Sequence, residues 1–172
     1  MKYILLAGFS QNNRIWAGEF VEAMRPYGYE FKVFEYTHWQ TGDESDFIVE
    51  TEVERLGEFI GEDEYVLVAK SIGTFVSAHY FITHGDLLQQ LVWLGVCLHA
   101  LKDDEKAVFG ELFEKYPELS PTVIQNHHDP LGNHHEVVAN FTGMIDPESI
   151  LMEERNDHYY PCYERVAQVL SQ

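Results

Sequence analysis

The chain is short of positive charge. Its 11 lysines and arginines stand against 29 acids in 172 residues, a formal net charge of −18. That deficit argues against a nucleic-acid partner, whose phosphates are met by clustered Lys and Arg. It also disfavours polyanionic substrates and anionic membranes through long-range repulsion. Cysteine is scarce: Cys97 and Cys162 lie far apart, which suits two ordinary thiols in a reducing cytoplasm better than a disulfide framework. No apolar run approaches the ~20 residues that cross a bilayer. Linkers rich in Pro, Gly or Ser are missing, and so are internal repeats. Metal spacings of the His-Glu-x-x-His or Cys-x-x-Cys kind are absent, as are Gly-x-Gly-x-x-Gly and Walker loops. The histidine pairs His127-His128 and His134-His135 are adjacent in sequence, and neighbouring side chains diverge in a strand or helix. The sequence therefore points to neither a metal nor a cofactor.

What is present reads as one globular domain over residues 1–172, with 45% apolar and 14% aromatic residues. A chain of this length buries roughly 70% of its unfolded surface. The opening stretch Met1–Ala7 is too short in its apolar part for a secretory leader and reads as a first strand. Strands are predicted at Tyr3–Ala7, Glu30–Tyr36, Glu64–Ala69, Gln90–Val96, Thr122–Gln125 and Ile150–Glu153. Several are apolar on consecutive residues, as strands covered on both faces must be. Between them Trp16, Phe20, Ala23, Met24 and Tyr27 form one helical stripe, and Val49, Val53, Leu56 and Ile60 another. Ile72–His84 is apolar on most sides, like a central buried helix, and Tyr163, Val166, Ala167 and Leu170 give the last helix its core face. From Leu98 to Pro121 the pattern allows one or two short helices around a charged patch. The alternation predicts an α/β fold: a mostly parallel six-stranded sheet with helices on both faces, in three layers.

Ser71 stands between the strand ending at Ala69 and the helix beginning at Ile72, within small-x-Ser-x-Gly, Ala69–Gly73. A serine on a tight strand-to-helix turn presents its hydroxyl beyond the sheet's end. Small residues are needed two positions either side because strand and helix approach closely there. A serine hydroxyl needs a base, and the base an orienting carboxylate. In a parallel sheet such groups follow the carboxyl ends of strands. Asp129 is the acid after the fifth predicted strand, and His158 lies between the sixth and the last helix. Asp157 is a rival for the acid, although a residue adjacent to the histidine usually points elsewhere.

In the elbow Ala69–Gly73, the turn Asp129-Pro130-Leu131-Gly132, the pair Asp157-His158 and the opening Ala7-Gly8-Phe9, the sequence resembles the α/β-hydrolase family along essentially its whole length. The resemblance implies a minimal α/β-hydrolase core without a lid. Ser71 becomes the nucleophile, His158 the general base and then acid, and Asp129 the orienting carboxylate. The backbone N–H groups of Phe9 and Ile72 form the oxyanion hole. Ala69 departs from the family's commoner glycine, and Ala7 from its usual histidine, which loosens the expectation for the oxyanion loop.

Pocket candidates are Ser10, Trp39, His99 and Tyr159, each weighed against ordinary packing or a satisfied loop residue. The reading that follows is a cytoplasmic serine hydrolase, a monomer or homodimer, acting on a small soluble acyl substrate. That substrate is a carboxylic ester, with thioesters and activated amides as neighbouring chemistries. The alternative is a non-catalytic small-molecule-binding protein on a hydrolase scaffold.

Overall fold

In the computed structural model, which describes residues 1–172 apart from the side chain of Asp86, the apolar runs become strands of one parallel sheet. Among the described residues these are β1 (Lys2–Leu6), β2 (Phe31–Phe34), β3 (Tyr65–Lys70), β4 (Leu88–Leu94), β5 (Thr122–Asn126) and β6 (Ile150–Glu153), in the order β2-β1-β3-β4-β5-β6. Every pairing is parallel, for example Leu6 with Phe34 on one side and with Ala69 on the other. β3 is buried at all six residues, because it lies inside the sheet with helices over both faces.

Among the described residues six α-helices lie between strands, α1 (Asn13–Met24), α2 (Thr37–Thr41), α3 (Val49–Ile60), α4 (Ile72–His84), α5 (Asp103–Lys115) and α6 (His134–Asn140), and α7 (Tyr163–Leu170) follows β6. The chain leaves β1 for β2 in one direction and then returns past β1 to β3. Right-handed crossovers place helices made in opposite directions on opposite faces. Accordingly α1 packs beside α7, while α4 packs between α3 and α5. Trp93 of β4 is fully buried among Phe109, Phe113 and Phe141. Its indole N–H donates to Ser77 Oγ at 3.0 Å, so this large side chain brings no orphaned donor into the core.

The differences from the sequence-based expectation are local. The fourth strand ends at Leu94, not Val96, because Gly95 takes φ 63° and the Val96 N–H is claimed by the side chain of Gln125. The second strand stops at Phe34, and Tyr36 already leads into α2. α5 is one helix of 13 residues, with Asp103, Asp104 and Glu105 in its first turn, where carboxylates meet the positive end of the helix dipole. α6 was not expected. It opens on a capping box in which Asn133 Oδ1 accepts from Glu136 N and Glu136 Oε2 accepts from Asn133 N.

Candidate active site

The return of the chain past β1 makes β1 and β3 neighbours whose onward connections diverge, the switch point beyond whose carboxyl ends parallel α/β sheets place their sites. Phe9 follows β1 and Ser71 follows β3, so both stand at this switch point. Ser71 has φ 57° and ψ −125°, the one positive φ at a non-glycine among the described residues. Its N–H donates to Leu94 O at 2.9 Å, and its carbonyl accepts from both N–H and Oγ1 of Thr74. Gly73 explains the motif's last small residue: a Cβ there would lie 2.9 Å from Leu6 O and 3.0 Å from Ala7 O. Cys97 after β4 is buried, and burial pushes its thiol up to about 11. Cys97 therefore stays a neutral thiol near neutral pH.

The acid and the histidine meet. His158 Nδ1 lies 2.7 Å from Asp129 Oδ2 and 3.0 Å from Oδ1. Asp129 is buried, and two further donors converge on it: the Leu131 N–H at 2.8 Å and the Tyr160 hydroxyl. Since a carboxylate only accepts, Nδ1 carries a hydrogen, and in the neutral imidazole Nε2 is the nitrogen with the lone pair. That Nε2 is buried and has no hydrogen-bond partner among the described residues. Asp157, the rival acid, instead binds Arg155 through both carboxylate oxygens, and that pairing holds its carboxyl below the usual range.

The loops carrying these groups are braced from below. Gln125 is fully buried; its Oε1 accepts from Val96 N and its Nε2 donates to Gly132 O, which joins the acid turn to the end of β4. Asn126 Nδ2 donates to Asp157 O at 2.7 Å and Tyr159 O at 3.1 Å, fixing the backbone on both sides of His158. The Tyr160 ring lies over Gly95, where a Cβ would come within 2.3 Å of it. Burial and the neighbouring Asp129 push the Tyr160 phenol far above its ordinary range, so it donates to the carboxylate and does not ionise.

The loop after β1 and the start of α4 are also heavily tied. Ile72 is the first residue of α4, and its N–H has no intrahelical acceptor. The carbonyl of Phe9 accepts from His38 Nε2 at 2.6 Å and Trp39 Nε1 at 2.8 Å. The carbonyl of Ala7 accepts from Tyr36 Oη at 3.0 Å. His38 is buried, stacked against Phe9 with centroids 4.5 Å apart.

The four pocket candidates have other partners. Trp39 is buried with its indole N–H on the Phe9 carbonyl, which makes it an anchor of the loop after β1. Tyr159 turns outward to Glu19 Oε2 at 2.8 Å, and its neighbour Tyr160 takes the inward position. His99 bridges Pro130 O and Glu136 Oε1 at the surface, where it can brace the acid turn but does not meet Ser71. Ser10 is exposed, its carbonyl accepting from the N–H and Nδ2 of Asn13. Sequence reasoning passed over Tyr160, His38, Asn13 and Lys70. Their signals were adjacency to residues already singled out: Tyr160 two after His158, Lys70 directly before Ser71.

Phe47 packs edge-on against Phe9 with centroids 5.2 Å apart, and it continues into a groove of 530 Å³ lined by Phe75, His79, Glu50, Glu105 and Glu111. Another cavity, of 360 Å³ beside Phe81, Leu88 and Tyr116, lies where β4 begins, at the opposite end of the sheet from Ser71. Among the described residues no three of His, Cys, Asp or Glu converge as a metal site, and no helix is long and apolar enough to cross a membrane.

No family model matches the chain, and no curated protein matches it. Solved structures do. The chain is similar to alpha/beta hydrolase domain-containing protein 10 from mouse, at 14% identity over 99% of this chain and 88% of that one, with a TM-score of 0.69. A pyrethroid hydrolase from Sphingobium faniae aligns at 13% identity over 99% and 96%, with a TM-score of 0.70. The ydeN gene product of B. subtilis aligns at 12% over the full length of both chains, with a TM-score of 0.67. At such identities the likeness is one of fold.

Proposed function

From a chain with the α/β-hydrolase fold, we propose a serine hydrolase that cleaves a small soluble carboxylic ester through an acyl-enzyme. The observation that carries this reading is the His158 imidazole: one nitrogen held by buried Asp129, the other buried and unpartnered. A base needs that arrangement, oriented at one end and free at the other. Ser71 Oγ attacks the acyl carbon while His158 Nε2 takes its proton. The carbonyl oxygen becomes an anion held by the N–H groups of Phe9 and Ile72. His158 then gives the proton to the departing alcohol, and the acyl group stays on Ser71. Water enters the same position and bonds the acyl carbon as it loses a proton to His158; the Ser71 Oγ–acyl bond then breaks, Oγ takes that proton back from His158, and the carboxylic acid leaves. Thioesters and activated amides pass through the same tetrahedral anion.

The pyrethroid hydrolases among the similar structures support hydrolysis as the reaction class. The groove lined by Phe47, which packs against Phe9, offers aromatic walls in Phe47 and Phe75. Its acidic rim favours a neutral or cationic substrate over an anionic one.

Intact-mass analysis after exposure to a fluorophosphonate tests the reading. Wild type gains a single adduct and Ser71→Ala gains none, with ester hydrolysis reduced by roughly four to six orders of magnitude. A folded wild type that takes no adduct overturns the hydrolase reading and leaves a small-molecule-binding protein on this scaffold.

A further inference from the structure

Lys70 has no part in the mechanism above, yet it precedes the nucleophile and is only 4% exposed. A buried ammonium is costly unless its donors are met. Its Nζ donates to Asn13 Oδ1 at 2.8 Å and sits 5.1 Å from the centroid of the Trp16 ring. The Asn13 carboxamide lies flush on the oxyanion loop: a Cβ on Gly8 would be 2.8 Å from both its Oδ1 and Nδ2. Asn13 Nδ2 donates to Ser10 O at 3.1 Å.

We propose that Lys70 is a positioning residue for the oxyanion-binding N–H of Phe9 and acts through Asn13. An ammonium can only donate. Lys70 therefore forces the Asn13 oxygen toward itself and the Asn13 NH₂ toward Ser10. The carbonyl of Ser10 is thereby fixed on one side of Phe9, as Tyr36 fixes that of Ala7 on the other. The Gly8-Phe9 peptide, whose N–H must meet the developing anion, is suspended between these two anchors. His38 and Trp39 hold the Phe9 carbonyl itself. In this way the chain secures a loop that begins with Ala7.

The inference rests on the oxyanion role proposed for Phe9, and its test separates the two. Lys70→Met, Asn13→Ala and the double variant are compared with wild type and Ser71→Ala for hydrolysis of p-nitrophenyl acetate, with melting temperatures recorded in parallel. Removing one oxyanion donor costs about 10²–10³ in kcat, so displacing one costs about 10–100-fold. Each single variant is expected to lose that much in kcat with KM nearly unchanged, since the anion exists only beyond the ground state. Because both residues act along one path, the double variant loses no more than the worse single variant. Losses that multiply, losses confined to KM, or singles with wild-type kcat overturn the role of Lys70 while leaving Ser71 as nucleophile. Should Lys70→Met not fold, half-buried Asn13→Ala decides alone, and wild-type kcat there overturns the proposal. Wild-type turnover no faster than Ser71→Ala overturns the hydrolase reading, and this proposal with it.

Discussion

Asp129 and His158, at the ends of β5 and β6, are held by ordinary hydrogen bonds, whereas Ser71, at the end of β3, is held by backbone strain. On the first side Asp129 is met by an imidazole, a main-chain N–H and a phenol, and the His158 loop hangs on Asn126. On the second, a non-glycine residue sits at φ 57° because β3 and α4 leave it no other course. Such a conformation costs on the order of 1–3 kcal/mol. The strained side depends on the whole sheet and helix being folded; the bonded side depends on a few identifiable donors. Each should therefore fail in its own way.

The largest expected effect comes from relaxing the strained side. Ser71→Gly should remove fluorophosphonate labelling and ester hydrolysis altogether, and should also stabilise the fold by about 1 kcal/mol, because glycine adopts this φ without a Cβ clash. Denaturant midpoints of the two proteins measure the gain. A Ser71→Gly protein less stable than wild type would show that the turn is not strained.

Next comes the bonded side. Asp129→Asn presents an N–H where Nδ1 must donate, so the imidazole loses its working tautomer, and kcat should fall about 10³–10⁴-fold with the melting temperature little changed. A loss within tenfold would mean that something other than Asp129 orients His158. Tyr160→Phe keeps the ring over Gly95 but removes one of three donors. It should cost about tenfold in kcat and about 1–3 kcal/mol of stability, since the buried Asp129 oxygen and the Asn126 N–H both lose a partner. If Tyr160→Phe matched Asp129→Asn in kcat, the phenol would be setting the histidine's orientation and not merely supporting its acid.

The same contrast governs what could be read from the sequence. The strained side is legible because close packing leaves a local signature: Gly73 must be glycine where its Cβ would strike Leu6 O, and the strand before the elbow is an unbroken apolar run from Tyr65 to Ala69. Six strands follow from their apolar runs, with boundaries moved where a side chain takes a main-chain partner, as Gln125 does at Val96. Asp129 and His158 were findable by their position after strands. Their supports were not, because Asn126, Gln125 and Tyr160 act over 7 to 34 residues and no local pattern announces them. Tyr159 and Tyr160 differ only in which way the chain turns them, and sequence cannot decide that. The helix α6 went unread although Asn133-x-x-Glu136 has the spacing of a capping box.

Lys70 belongs to neither side, and it gives the smallest test. Burial lowers its pKa to about 8, against an ordinary value of 10.5. Between those values the unfolded chain holds the proton and the folded chain has released it, so stability contributed by this residue rises with pH. Wild type should therefore gain on Lys70→Met by about 1 kcal/mol between about pH 7 and about pH 9, measured by urea unfolding of both proteins at each pH. In the folded protein Cys97, which feels the Lys70 charge, is held up at about 11 and Tyr36 well above its ordinary value, so neither titrates in this window. A gap independent of pH would mean that the Asn13 oxygen and the Trp16 ring replace the ammonium's lost water in full, and the oxyanion loop would then carry its buried charge without strain on the fold.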